Sequence, residues 1–352
     1  MVHLSSGGKR IRLRLSNVYG KTPVALGSVH VALHGTRSAI QANTDREVRF
    51  AGSKSVAIPV GQSRSSDAIE LDVPAHSDVV VSFYVAAPAV ITTVHAVAQA
   101  TSYTAPGDQT DAVDLSTSSA SGSASAVGAA AASTSTSWHV IAAVDVDAPV
   151  DTRAIVAFGD SITDGMGSSP DANHRWTDRL AERLADNHRS VINAGIAGNA
   201  LTREVVSDPG LARFDRDVLE QAGVGYVIAE IGVNDLASFE GLAGVPAEDV
   251  IAGYRKLVAK ARASGIKLVF ATLMPTEGAR FYTAEADAQR GRVNDWIRTT
   301  KEIDGFIDFD KAIRDPDKPS RVAPAFDSGD HVHPSDAGYA AMADAVDLAL
   351  LR

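Results

Sequence analysis

From about residue 151 onward, short apolar runs alternate with amphipathic helical patterns. That alternation limits what the chain can fold into more than any other feature. The strand-like runs are 154–158, 190–193, 226–230, 267–271 and 306–308. Between them, "VPAEDVIAGYRKLVAKARASG" places Val250, Ile251, Tyr254, Leu257, Val258 and Ala261 on one helical face. Pro246 suits the first turn of that helix and Gly265 its C-terminal stop. "DANHRWTDRLAERLADN" and the final "PSDAGYAAMADAVDLALLR" read the same way. A β–α alternation repeated about five times predicts a doubly wound parallel sheet of about five strands. There is no internal repeat of the solenoid kind.

The N-terminal part reads differently. In "RIRLRLSN", Ile11, Leu13 and Leu15 alternate with Arg10, Arg12 and Arg14, the period of a strand with one buried and one wet face. "SVHVALHG", "SVAIPVG", "AIELDVP" and "DVVVSFYVAAP" come next at short intervals, with turn residues between them. Residues 1–114 are therefore expected to form an all-β, sandwich or jelly-roll-like domain. Residues 115–137, "LSTSSASGSASAVGAAAASTSTS", offer almost nothing to bury and read as a Ser/Ala/Gly-rich linker or surface loop. "WHVIAAVDV" supplies one more strand, bridging through 138–150 to the α/β region, 151–352.

The 352 residues suffice for about two domains. A formal net charge of −10 argues against nucleic acid or an anionic membrane surface as partner. With no cysteine, disulfides, thiolate–zinc sites and thiol catalysis are excluded. No apolar run reaches the length of a membrane span. "MVHLSSGGKRIRLRLSN" has no signal-peptide core, so the expectation is either a cytoplasmic protein or a chain given without its export segment. No feature of the sequence bears on oligomeric state.

In a parallel sheet of this kind, function gathers beyond the carboxyl ends of the strands. After the first strand comes "GDSITDG", with Ser161. After the second comes "AGIAGNA", with Gly198, and after the third "IGVND", with Asn234. "TLMPTEG" succeeds the fourth, and "DSGDHVHPSDAGY", with Asp330, His331 and His333, precedes the last helix. These are the parts an ester hydrolase needs. A serine hydroxyl attacks once a histidine takes its proton. A carboxylate orients that histidine. N–H donors hold the oxyanion, and the backbone N–H of Ser161 and Gly198 with the Asn234 amide could supply three.

"GDSITDG", "IAGN", "GVND" and "DHVHPS", in this order, resemble the four blocks of the SGNH or GDSL-type serine hydrolases, across roughly residues 152–350. The resemblance implies a flavodoxin-like α/β fold with Ser161 as nucleophile, His333 as base and Asp330 as its orienting acid. Ser161, Gly198 and Asn234 would form the oxyanion hole, and no cofactor or metal would be required. Ile162 stands where the family name has leucine, and stays apolar. The N-terminal β region resembles that of a bacterial subgroup, often exported and associated with carbohydrate esters. The implied reaction is hydrolysis of short-chain esters, O-acetyl groups on carbohydrate above all, with a small-molecule or oligosaccharide ester as partner. A lipid or thioester acyl hydrolase of the lysophospholipase or thioesterase type is the alternative. An inactive carbohydrate-binding protein is a third reading.

Each residue has a plainer role to set beside this one. Ser161 could cap a helix, Gly198 could serve only a turn, and Asn234 could cap loop backbone. Asp160 is too close to Ser161 to stand behind its base and reads as structural, as does Asp235. The D-x-x-H spacing selects His333 over His331, which would line the pocket or face solvent. A metal site from Asp330, His331 and His333 lacks a further ligand cluster. Trp176 reads as core, and His30, His34, His95 and His139 as structural or surface residues. No G-x-S-x-G, phosphate loop or H-E-x-x-H motif is present.

Overall fold

Apolar and basic residues alternate along Gly8–Ser16, so the strand buries Ile11, Leu13 and Leu15 and leaves Arg10 and Arg12 in water. Arg10 and Arg14 pair with Asp147 and Asp145. In the computed structural model, which describes residues 1–115, 132–185, 188–238 and 241–352, this strand belongs to the first of two compact units, Met1–Pro149 and Val150–Arg352.

The first unit contains two larger antiparallel sheets. One joins Gly8–Ser16 to Ile141–Val146, Ser63–Ser65 and Ile69–Val73. The other is built around Val24–Leu33 and Asp78–Val85. Leu13 and Leu71 from one, and Val29, Ile58 and Val79 from the other, share a single apolar core. The Ser/Ala/Gly-rich stretch lies largely in 116–131, outside the described residues. Its end does more than connect, since Ser133–Ser135 pairs antiparallel with Ser102–Thr104.

The second unit has one sheet of five parallel strands: Arg153–Gly159, Arg189–Gly195, Val224–Glu230, Lys267–Ala271 and Gly305–Ile307. Taken in chain order, their spatial order is 2-1-3-4-5. Both faces of the inner strands are covered, so Arg153–Gly159, Val224–Glu230 and Lys267–Ala271 bury most of their residues rather than alternating. Ile155 and Ala157 face a core with Trp176, Leu180, Tyr339 and Met342. Val156 and Phe158 face another with Phe214, Tyr254, Leu257 and Phe270. Helix Ala247–Ala263 buries five of its six expected contact residues, with Ile251 only half-buried. Pro246 is its N-cap, and Gly265, at φ +68°, comes just after its C-cap Ser264.

Residue 308 departs from expectation. The fifth strand stops at Ile307, and Asp308 instead caps the short helix Phe309–Ile313 by accepting the Lys311 N–H. Arg298 also binds its carboxylate, and these polar partners outcompete the strand ladder.

In the 2-1-3-4-5 order the chain reverses direction of growth between the first and third strands, which opens a crevice beyond their carboxyl ends. Gly159 ends the first strand in tight quarters. A Cβ there would lie 2.2 Å from Thr163 Oγ1 and 2.4 Å from the Glu230 carbonyl oxygen. Gly159→Ala should lower stability by about 1–3 kcal/mol, the usual cost of overpacking a tight site, read as a lower urea midpoint. An unchanged midpoint would show that the strand end yields.

Candidate active site

Asp160 turns the chain out of the first strand and accepts the Ile162 N–H on Oδ1 at 3.1 Å, capping the one-turn helix Ser161–Asp164. Gly165, at φ +105°, ends that turn. Ser161 is therefore held at the head of a short, capped element. Its hydroxyl lies 2.8 Å from His333 Nε2, and His333 Nδ1 lies 2.6 Å from Asp330 Oδ2. The other Asp330 oxygen accepts the N–H groups of Val332 and His333 at 2.9 and 2.8 Å. An ionised carboxylate only accepts, so Nδ1 carries the imidazole proton, Nε2 accepts, and the Ser161 hydroxyl donates to it. Burial works against the charge on Asp330. The imidazole and the two N–H donors outweigh it and hold the carboxyl well below the usual carboxylate range.

The loops after the second and third strands carry the two other expected donors, Gly198 and Asn234. Asn234 stands in the turn after the third strand and donates one Nδ2 hydrogen to the Asn199 carbonyl at 3.0 Å, leaving its second hydrogen uncommitted among the described residues. Arg203 holds the Asn234 carbonyl at 2.8 Å. Gly198 adopts φ +76°, open to glycine at little cost. Asp235 serves structure: its carboxylate accepts from the Leu201 N–H and from the N–H and hydroxyl of Thr202. His331 takes no part in the relay, and its Nδ1 lies 2.5 Å from Asp327 Oδ2. Asp330, His331 and His333 therefore do not converge on one point. Trp176 is fully buried and packs edge-on against Phe309.

Some residues of the site carry no motif. Arg213 is buried and bonds the carbonyls of Gly159 and Ala194, at 2.8 and 2.9 Å, and Asn199 Oδ1 at 2.8 Å. Its guanidinium lies 4.1 Å from the centre of the Phe158 ring. An arginine among Leu211, Phe214 and Val218 on a helical segment is the one visible hint. Glu230 is buried at the end of the third strand, where it is the register partner of Gly159. Thr163 donates to its Oε2 at 3.3 Å, while Glu230 Oε1 and Asp160 Oδ2 have no partner among the described residues. Burial pushes both carboxyls up, Asp160 to about 7 and Glu230 well above its ordinary value, where the neighbouring Asp160 adds to the effect. A neutral carboxyl here spares the site a negative charge beneath the serine.

The family comparison agrees with this geometry. The GDSL-like lipase/acylhydrolase family model matches residues 157–341, and the chain belongs to that family, whose members are carboxylic ester hydrolases. Similar solved structures include a protein described as lipolytic and of the G-D-S-L family from Desulfitobacterium hafniense. It is 24% identical over 55% of this chain and 97% of that one, with a TM-score of 0.44. An aryl esterase from M. smegmatis is 18% identical over 55% and 96%, with a TM-score of 0.45. A carbohydrate acetylesterase family member from Sinorhizobium meliloti is 18% identical over 57% and 99%, with a TM-score of 0.47. No curated protein matches the sequence. Among the described residues, no helix is long and apolar enough to cross a membrane.

The raised carboxyls make stability depend on pH in a definite direction. In the unfolded chain Glu230 ionises near its ordinary value of 4.5, while burial opposes ionisation in the folded chain. Stability is therefore lost as pH rises from that value to the folded one, by about 1.4 kcal/mol for each pH step of one between them. Glu230→Gln removes this loss. Its thermal midpoint should exceed that of wild type at pH 8 and approach it at pH 4. A midpoint below wild type at both would mean that Glu230 is ionised in the fold.

Proposed function

We propose that the protein is a serine esterase that removes short acyl groups, O-acetyl on carbohydrate in particular, through an acyl-serine intermediate. The observation that carries the reading is the unbroken relay Ser161–His333–Asp330, with bonds of 2.8 and 2.6 Å. Ser161 Oγ attacks the ester carbonyl carbon as its proton passes to His333 Nε2. The carbonyl π electrons move onto oxygen. The N–H groups of Ser161 and Gly198 and the free Nδ2 hydrogen of Asn234 receive that charge. As the intermediate collapses, the C–O bond to the alcohol breaks and His333 returns the proton to the departing oxygen. Water then attacks the acyl-serine by the same steps in reverse roles. Asp330 holds the tautomer and stabilises the imidazolium.

The short acyl group rests on the same subgroup resemblance as the carbohydrate part. The carbohydrate part rests on the resemblance of the β region and on the chain's acidic balance. The lipid or thioester alternative has one observation on its side: Met166, Val206 and Leu242, on the loops after the first three strands, are exposed apolar side chains.

Initial rates on p-nitrophenyl esters from acetate to palmitate separate the two. Acetate should be fastest, and a maximum at medium or long chains would favour the alternative. Ser161→Ala should lose roughly 10⁴-fold or more in kcat, and a variant that keeps its rate would end the serine mechanism. Asn234→Ala should lose about 10²–10³ in kcat with KM little changed, the pattern of a group that bonds only the transition state. A loss confined to KM would place Asn234 in ground-state binding instead.

A further inference from the structure

The segment that carries Asp330 and His333 holds a second Asp–His pair, overlapping the first. Asp327 Oδ2 meets His331 Nδ1 at 2.5 Å, and Asp327 Oδ1 accepts the N–H groups of Gly329 and His331 at 2.8 and 3.1 Å. These bonds hold His331 at φ +66°, a backbone conformation few side chains adopt. Its Nε2 has no partner among the described residues. Gly329 and His331, which flank Asp330, line a cleft of about 250 Å³.

The opposite side of that cleft is polar too. Asp315 spends one oxygen on the Asp317 N–H. Arg321 gives one long contact, 3.3 Å, to Glu277. Among the described residues, the remaining Asp315 oxygen and Arg321 N–H groups are unspent, and Val322 and Pro324 supply the apolar patch. An unspent carboxylate oxygen beside unspent N–H donors suits a ligand whose groups both donate and accept, with some ring surface to cover. Hydroxyls on a sugar ring do this, whereas an alkyl chain would leave every one of these groups dry and unpaired. A cleft of about 250 Å³ is below the usual range for a drug-sized ligand, and accords with one ring.

We propose that this cleft seats the sugar ring of the leaving alcohol, with His331 and Arg321 as specificity-determining residues. The assignment rests on the carbohydrate-ester reading above. Its mechanistic logic is local. His333 must hand its proton to the departing alcohol oxygen, so that oxygen comes within reach of His333 Nε2. Gly329 and His331 of the cleft are the chain neighbours of Asp330, which orients His333.

The test is a ratio, kcat/KM on a methyl xyloside carrying one O-acetyl group divided by kcat/KM on p-nitrophenyl acetate, whose leaving group has no hydroxyls to bind. His331→Ala and Arg321→Ala should each lower this ratio about tenfold, mainly through KM on the xyloside, the size of one or two lost hydrogen bonds. Arg321 is exposed, so its variant keeps the test alive if the strained His331 backbone tolerates alanine poorly. A wild type that cleaves both substrates, with a ratio unmoved in both variants, overturns the cleft assignment and leaves the esterase reading standing. A wild type that cleaves p-nitrophenyl acetate in a Ser161-dependent way but leaves the acetyl xyloside untouched overturns the carbohydrate reading, and the cleft assignment with it.

Discussion

One buried guanidinium holds the working end of the sheet together. Arg213 reaches the carbonyls of Gly159 and Ala194, the last of which lies in the second strand, and the side chain of Asn199. The buried Gly159 carbonyl takes the Ile196 N–H at 3.2 Å as well, so the guanidinium meets its second lone pair. A planar cation with five N–H donors can answer several at once. Asn199 in turn presents its own carbonyl to the Asn234 amide. The serine loop, the glycine loop and the asparagine loop are thus referred to a single buried side chain.

The charge balance under the serine comes from the same arrangement. Burial, and to a smaller degree Asp235, oppose ionisation of Asp160, while the Ile162 N–H, His333 and Arg213 ease it. Glu230 has only the long Thr163 hydrogen bond in its favour, and burial drives it toward its neutral form. Like charges held side by side out of water cannot both persist. Protonation of one carboxyl lets two acids sit beneath a site whose reaction makes an oxyanion. Above the serine the logic is reversed: Asp330 keeps its charge through three donated hydrogen bonds and half-open access to water.

Much of this is legible along the chain because parallel strands deliver their chemistry to one edge. Ser161, Gly198, Asn234 and Asp330 with His333 can be picked out as the residues just beyond successive apolar runs, without knowing how the strands pair. The D-x-x-H spacing also separates His333 from His331, and the structure turns the latter to Asp327. The features that stay hidden depend on distant partners. Arg213 looks like any arginine on a short helix, since its acceptors at 159, 194 and 199 are local to nothing in its neighbourhood. Glu230 looks like the polar end of a strand, because only the register with Gly159 places it under the serine turn. Asp308 reads as strand for a similar reason, its capping and its ion pair with Arg298 being tertiary facts.

Ser161 and His333 are 172 positions apart and meet at 2.8 Å. Their encounter requires the first strand, the serine turn and the segment before the last helix to be in place together. Loops at a sheet edge open at lower free energy than the strands beneath them. Turnover is consequently a finer gauge of integrity than any spectroscopic signal of the sheet. Under mild denaturant the molecule should fall silent while its strands are still intact.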